Sequence, residues 1–217
     1  MFVRRDLSDR VPTPEGEMHF VKQGSGYPLV MLHPLGTSTW AWHTVIDALS
    51  QHFTCYAFDM LGHGESDKPS RHFNIPDYAN ALDHACQILN IHRGHYVGNS
   101  VGAILATEMA ASFPERLDKL VLVGCPVWDA RTAPQRLQDA SGGYDDQGLA
   151  KPRTLEELKA STTFANPKPE WVDATNQTRA QAGVWVGKLM RSLAHYDVMS
   201  RLPRIQASAT MVMYGEV

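Results

Sequence analysis

Apolar residues fall along this chain in short blocks of two kinds, and the two kinds alternate. Apolar runs bounded by glycine, proline or polar turns occur at 18–22 ("MHFVK"), 28–33 ("PLVMLH"), 53–59 ("FTCYAFD"), 94–99 ("GHYVGN") and 120–124 ("LVLVG"). Their length and their aromatic and β-branched content predict strands. Between them the spacing turns helical. "STWAWHTVIDALSQ" carries Ser38 or Thr39 as a cap, and Tyr78, Leu82, Ala85 and Leu89 form a stripe flanked by Ala81 and Ile88. His84 lies off that stripe, at the surface. "VGAILATEMAASF" is apolar on most faces, which predicts a buried helix.

Apolar strands alternating with helices predict a mostly parallel, doubly wound α/β sheet covered on both faces. The pattern changes after Cys125. Residues 131–153, with "SGGYDDQGL", predict mobile loop; Thr154 and Glu157 form a capping-box signature; "PEWVDATNQTRAQAGVWVGKLMRSLA" predicts one or two more helices. "SATMVMYGEV" then resumes the strand pattern. The expected organisation is a core over 1–126, a helical insertion without a strand of its own over 127–200, and a returning core strand over 201–217.

A length of 217 residues suits one sizeable domain. A net charge of −3 without like-charge runs leaves no footprint for nucleic acid or an anionic membrane, so the expected partner is a small molecule. No apolar stretch reaches the ~20 residues of a membrane helix, and "MFVRRDLSDR" lacks a signal-peptide core, so the expected location is cytoplasmic. Cys55, Cys86 and Cys125 read as buried free thiols, and the ten histidines show no metal-ligand spacing; His63, four residues after Asp59 in a glycine-rich turn, is weak evidence for a site.

Chemistry concentrates in two turns. Gly98-Asn99-Ser100-Val101-Gly102 has the form G-x-S-x-G between a predicted strand and a predicted helix. Side chains two residues either side of the serine would collide in so tight a turn, hence the glycines, and Ser100 is left strained with its hydroxyl exposed. "LHPLG" at 32–36 follows another strand and can aim the Leu35 N–H at the point where the Val101 N–H aims, an oxyanion hole. "DMLGHGESDKP", from Asp59, runs along the same rim, and its glycines and Ser66 read as structural.

"GEMHFVKQGSGYPLVMLHPLG", "YAFDMLGHGESDKP", "YVGNSVGAILATEMAASFPERLDKLVLVG" and "LPRIQASATMVMYGE" resemble, in this order, the core segments of α/β-hydrolases with a helical cap. Serine at the elbow is similar to the branch of enol-lactonases, meta-cleavage C–C hydrolases and small esterases, and unlike epoxide hydrolases and haloalkane dehalogenases, which use aspartate there. His33-Pro34 stands where that branch usually has His-Gly. The resemblance implies Ser100 as nucleophile, Leu35 and Val101 as oxyanion donors, and His33, Gly36, Gly98 and Gly102 as supports of the two turns. It implies an ester, lactone or activated C–C bond as the target, through an acyl-serine and without cofactor or metal; acyl transfer to another acceptor is a close variant.

The family's acid follows the "YGE" strand and its histidine comes one strand later, so the resemblance implies a chain that stops short of its last strand and helix. No residue is then positioned as the base, and such a chain is expected to turn over poorly. Cys125 occupies an alternative position for the acid, with Asp129 beyond it, and His195 reads as a helix-end residue before it reads as a relocated base. Trp128, Phe164, Trp171, Trp185 and Met190 are candidate pocket residues, or simply core. Lys151, Arg153, Arg179 and Arg191 are candidates for a substrate carboxylate, or a solvated face. The returning "ATMVMY" strand is expected to present an apolar edge prone to self-association. Two rival readings remain: a hydrolase-like binding protein, and a half-enzyme completed by a second chain.

Overall fold

The computed structural model describes residues 8–127, 132–160 and 166–214. Seven strands form one sheet: β1 (Ser8–Thr13), β2 (Gly16–Gln23), β3 (Tyr27–Leu32), β4 (Phe53–Phe58), β5 (Gly94–Asn99), β6 (Leu117–Val123) and β7 (Ala209–Met213), in the order β1-β2-β4-β3-β5-β6-β7. β2 runs antiparallel to β1 and β4, and every pair from β4 through β7 is parallel.

The period-two alternation of a strand sorts the apolar runs onto two faces. Val30 and Leu32 of β3, Phe58 of β4 and Tyr96 of β5 pack with helices α2 (Ile75–Ile88) and α3 (Val101–Ser112). Leu29, Met31, Cys55 and Ala57 point the other way, onto Trp42 and Ile46. Every residue of α3 from Val101 to Ala111 is buried, in line with its all-round apolar sequence. The three cysteines are free and buried, and burial pushes their thiols up to about 11, 12 and 11 for Cys55, Cys86 and Cys125.

Four features depart from the sequence pattern. β1 was not marked by it, because Pro12 and the charges around it suit an edge strand, whose outer groups need no ladder partner. The stretch after Ser38 is two short pieces, a 3₁₀ turn (Thr39–Trp42) capped by the Ser38 hydroxyl and α1 (Ile46–Leu49). Part of the expected loop at 131–153 is helix α4 (Ala133–Ser141), started by a proline in its first turn and supported by the Gln135–Asp139 hydrogen bond one turn apart. The Thr154–Glu157 box does cap α5 (Leu155–Ala160). The last predicted helical stretch is α6 (Glu170–Ala182) and α7 (Trp185–Ala194), broken where Gly183 takes a φ of +58°.

One buried charge ties the end of α7 to the core. Glu108 of α3 is 2% exposed; it accepts from the Tyr196 hydroxyl, from Ser112 Oγ at 2.7 Å and from Arg201 Nε at 3.1 Å. Tyr196→Phe removes one of these donors from a carboxylate that cannot reach water. It should lower the urea-unfolding free energy by about 1–3 kcal/mol, read as a lower midpoint at unchanged slope. At the far edge, all five residues of β7 are exposed, Met211, Val212 and Met213 among them.

Candidate active site

β3 and β5 are neighbours in the sheet, yet the chain leaves them towards opposite edges, β3 for β4 and β5 for β6. The ends of two such strands diverge and leave a crevice at this switch point, where open α/β sheets bind their ligands. The turn after β3 holds His33 to Thr37, and the turn after β5 holds Ser100.

Ser100 has φ +55° and ψ −115°, a combination that non-glycine residues rarely adopt. Backbone neighbours hold it there. Its N–H donates to Val123 O at 2.8 Å, and its carbonyl accepts from Ala103 N at 2.9 Å as α3 begins. A Cβ on Gly98 would sit 2.1 Å from the Gly102 carbonyl oxygen, and one on Gly102 would sit 2.1 Å from the Leu32 oxygen. Both glycines are thus required by close backbone approach. Val101 opens α3, so its N–H has no intrahelical acceptor and points out beside the serine.

The facing turn is oriented by histidine. His33 is fully buried; its Nε2 accepts from Met60 N at 3.0 Å, which puts the ring proton on Nδ1, and that nitrogen lies 2.8 Å from Pro34 O. Thr37 Oγ1 donates to the same oxygen at 2.8 Å. In a trans peptide the carbonyl and the following N–H point opposite ways, so pinning Pro34 O turns the Leu35 N–H to the other side. Burial lowers the His33 pKa, so the ring is a neutral brace. Proline at 34 costs nothing here, since its carbonyl is what the brace holds.

The rim loop after β4 folds around Asp59, whose carboxylate accepts from Thr39 N (2.6 Å), Glu65 N (2.9 Å) and His19 Nδ1 (2.7 Å). Ser66 Oγ donates to Asp59 O at 2.7 Å, a structural role as its sequence suggested. His19 carried no sequence signal, because its partner lies 40 residues away.

Leu35, Gly36 and Ser100 share a cavity of about 390 Å³ with Pro34, Thr37, Tyr144, Arg153, Thr175, Arg179, Met190 and Asp139. Met190 is in place as a wall. Trp185 and Trp171 are elsewhere, which corrects the expectation from sequence. Trp185 is buried against Gly62 and edge-on to Phe73. Trp171 packs edge-on to His43 and Trp40, pinning α6 to the 3₁₀ turn. Trp128, Phe164 and Asp129 lie outside the described residues. Tyr144, Thr37 and Thr175 are wall residues that the sequence did not mark.

No imidazole lies within hydrogen-bond reach of Ser100 Oγ among the described residues. His195 ends α7 with Nδ1 on Arg191 O at 2.8 Å, and Cys125 is a buried thiol whose carbonyl accepts from the Tyr214 hydroxyl. No group of three or more His, Cys, Asp or Glu residues suited to a metal ion is formed among the described residues, and no described helix is long and apolar enough to cross a membrane.

Residues 27–184 match the family model for the alpha/beta hydrolase fold. The chain is an α/β-hydrolase. An uncharacterised protein of Mycobacterium tuberculosis is 39% identical over 100 residues, 46% of this α/β-hydrolase and 29% of that protein. The match to 2-hydroxy-6-oxo-2,4-heptadienoate hydrolase of Pseudomonas putida is 30% identical over 188 residues, 74% of this chain and 67% of the relative. The chain therefore spans under a third of its mycobacterial relative and about two thirds of the pseudomonad one. Among solved structures, the enol-lactonase of Burkholderia xenovorans superimposes with a TM-score of 0.72 at 18% identity, covering 95% of this chain and 81% of its own. An N-acyl homoserine lactonase in complex with N-butanoyl homoserine gives 0.76 at 22%, covering 96% and 78%. These two likenesses are of fold.

Proposed function

We propose that this α/β-hydrolase chain carries the nucleophile and oxyanion half of a serine hydrolase acting on an ester, lactone or activated C–C bond of a small organic substrate. The observation that carries the reading is the Ser100 backbone, held at φ +55° by two glycines and facing a cavity of about 390 Å³. Ser100 Oγ would attack the carbonyl carbon and pass its proton to a base. The tetrahedral oxyanion would sit between the N–H groups of Leu35 and Val101, with the N-terminus of α3 behind it. Collapse would expel the leaving group and leave an acyl-serine, which water hydrolyses. No metal or organic cofactor enters this scheme.

No described residue is placed as that base. With a triad member missing, about 10³ to 10⁴ over the uncatalysed rate is what binding and an oxyanion hole supply. The similar hydrolase of Pseudomonas putida acts, by its name, on 2-hydroxy-6-oxo-2,4-heptadienoate, a small organic molecule, which supports the reading. The exposed strand β7 supports pairing with a second chain, and such pairing could supply the base. The small-molecule substrate and a cytoplasmic location stand as part of the same proposal.

A fluorophosphonate probe tests it. Labelling should be slow in the 217-residue chain, faster with millimolar free imidazole, confined to Ser100 by peptide mapping, and absent in Ser100→Ala. Labelling elsewhere, or unchanged in the alanine variant, refutes the nucleophile. A serine that stays unlabelled with imidazole present points instead to a ligand-binding protein built on the hydrolase fold.

A further inference from the structure

A second cavity, of about 290 Å³, shares no wall residue with the Ser100 cavity. Strand β2 gives it His19 and Val21, the 3₁₀ turn Trp40, the rim loop Asp59 and Glu65, and α6 Gln177. His19 is 6% exposed, and the fold accounts for only one side of its ring. Asp59 accepts from the backbone N–H groups of Thr39 and Glu65, so its carboxylate is an acceptor, and the proton between it and His19 sits on Nδ1. In the neutral ring Nε2 is then a bare acceptor. No hydrogen bond reaches it among the described residues, and Glu65 Oε2 stands 3.9 Å off, beyond hydrogen-bond range.

A buried acceptor without a donor costs about 1–3 kcal/mol. The charge around it says what could meet it. Two carboxylates, Asp59 and Glu65, line the cavity, and no described lysine or arginine does. An anion is therefore repelled, and an ammonium nitrogen answers both needs by donating to Nε2 and to Glu65 at once. Donating to each over about 2.9 Å at a tetrahedral angle, it would hold the two acceptors about 4.7 Å apart. The Glu65 side chain is 65% exposed and can swing that short distance while its backbone N–H stays on Asp59. Val21 and Trp40 offer apolar wall to a carbon body. A metal ion would find too few ligands, since no group of three or more His, Cys, Asp or Glu suited to one forms among the described residues.

We infer that this second cavity binds a primary organic ammonium, its nitrogen bridging His19 Nε2 and the Glu65 carboxylate. A quaternary ammonium does not fit the same chemistry, because the site asks for N–H donors as well as positive charge. The inference stands apart from the acyl-serine reading, since neither His19 nor Glu65 lines the Ser100 cavity.

The probe is n-butylammonium, titrated into the full chain by calorimetry at about pH 8 and low ionic strength, with butan-1-ol and tetramethylammonium as comparators. Butylammonium should bind about tenfold more tightly than either, the scale of a charge-assisted hydrogen bond. Glu65→Gln should remove most of the margin over butan-1-ol, while Glu115→Gln, an exposed acid outside the cavity, keeps it. His19→Phe should remove the margin over tetramethylammonium. Where that buried substitution unfolds the chain, the exposed Glu65 variant still decides, together with the His19 ring nitrogen resonances, which butylammonium should shift and tetramethylammonium should not. No binding of butylammonium, equal affinity for the three probes, or a margin that Glu65→Gln leaves intact overturns the inference. Ser100→Ala should bind butylammonium as the parent does; a loss there would put the amine in the Ser100 cavity and overturn the inference too, whatever the labelling of Ser100 shows.

Discussion

Gly102→Ala should leave little folded protein. The added Cβ would lie 2.1 Å from Leu32 O, 2.6 Å from its carbon and 2.8 Å from His33 O. All three are backbone atoms, so no rotamer change relieves the clash. Either α3 lifts off β3 or the turn after β3 shifts, and both move the most buried helix of the chain. Overpacking a core costs about 1–3 kcal/mol where side chains can yield. Here they cannot, so a loss above about 4 kcal/mol is expected, against a typical total of ~5–15. Gly142→Ala is the control, with nothing within 4 Å of its Cβ and a helical φ of −60°. It should be neutral or stabilising by up to about 1 kcal/mol through the unfolded chain. Urea midpoints of the two variants check this, and a folded Gly102→Ala with a parental midpoint would show that the turn is looser than described.

Mild acid should destabilise the protein before its carboxylates titrate. His63 is fully buried, and burial, aided by His33, pushes its pKa down to about 3 against the opposing pull of the Leu61 backbone. Asp59 opposes the shift and Lys68 adds slightly to it. The ordinary value of 6.5 applies to the unfolded chain. Between those two values the unfolded state binds the extra proton, so stability is complete above pH 6.5 and falls as pH drops towards 3. The whole span is worth about 4–5 kcal/mol, at a limiting slope of about 1.4 kcal/mol per pH unit. His33, also lowered by burial, adds in the same direction. Urea midpoints measured from pH 7 to 5 should therefore decline, and His63→Leu should flatten the decline by about half. A flat parental profile over that range would mean the ring is solvated or already protonated.

The sheet and its elbow were legible because they depend on local pattern. Apolar runs gave the six strands from β2 to β7, and glycines at 98 and 102 marked a bend whose reason is the Cβ distances just described. Strand β1 was hidden by Pro12, which is unobjectionable only at an edge, and edges are a tertiary fact. Helix α4 was hidden by polar composition and adjacent glycines, since a surface helix with one buried residue leaves a weak stripe. Trp171 and Trp185 show a different limit. Helical spacing says that an aromatic ring is buried, and not which surface buries it. Arg179 shows the converse, because a charged letter looks the same whether it meets water or the wall of a cavity.

The bend at residue 100 is made wholly by its neighbours: two Cα atoms that carry no Cβ, the carbonyls of Leu32 and Gly102, and the first turn of α3. Nothing in that arrangement depends on a hydroxyl. The scaffold therefore works as a fixed socket, offering any short reactive side chain to the same point in space, so that reaction type can be exchanged by swapping the one inserted group while the mould around it stays unchanged.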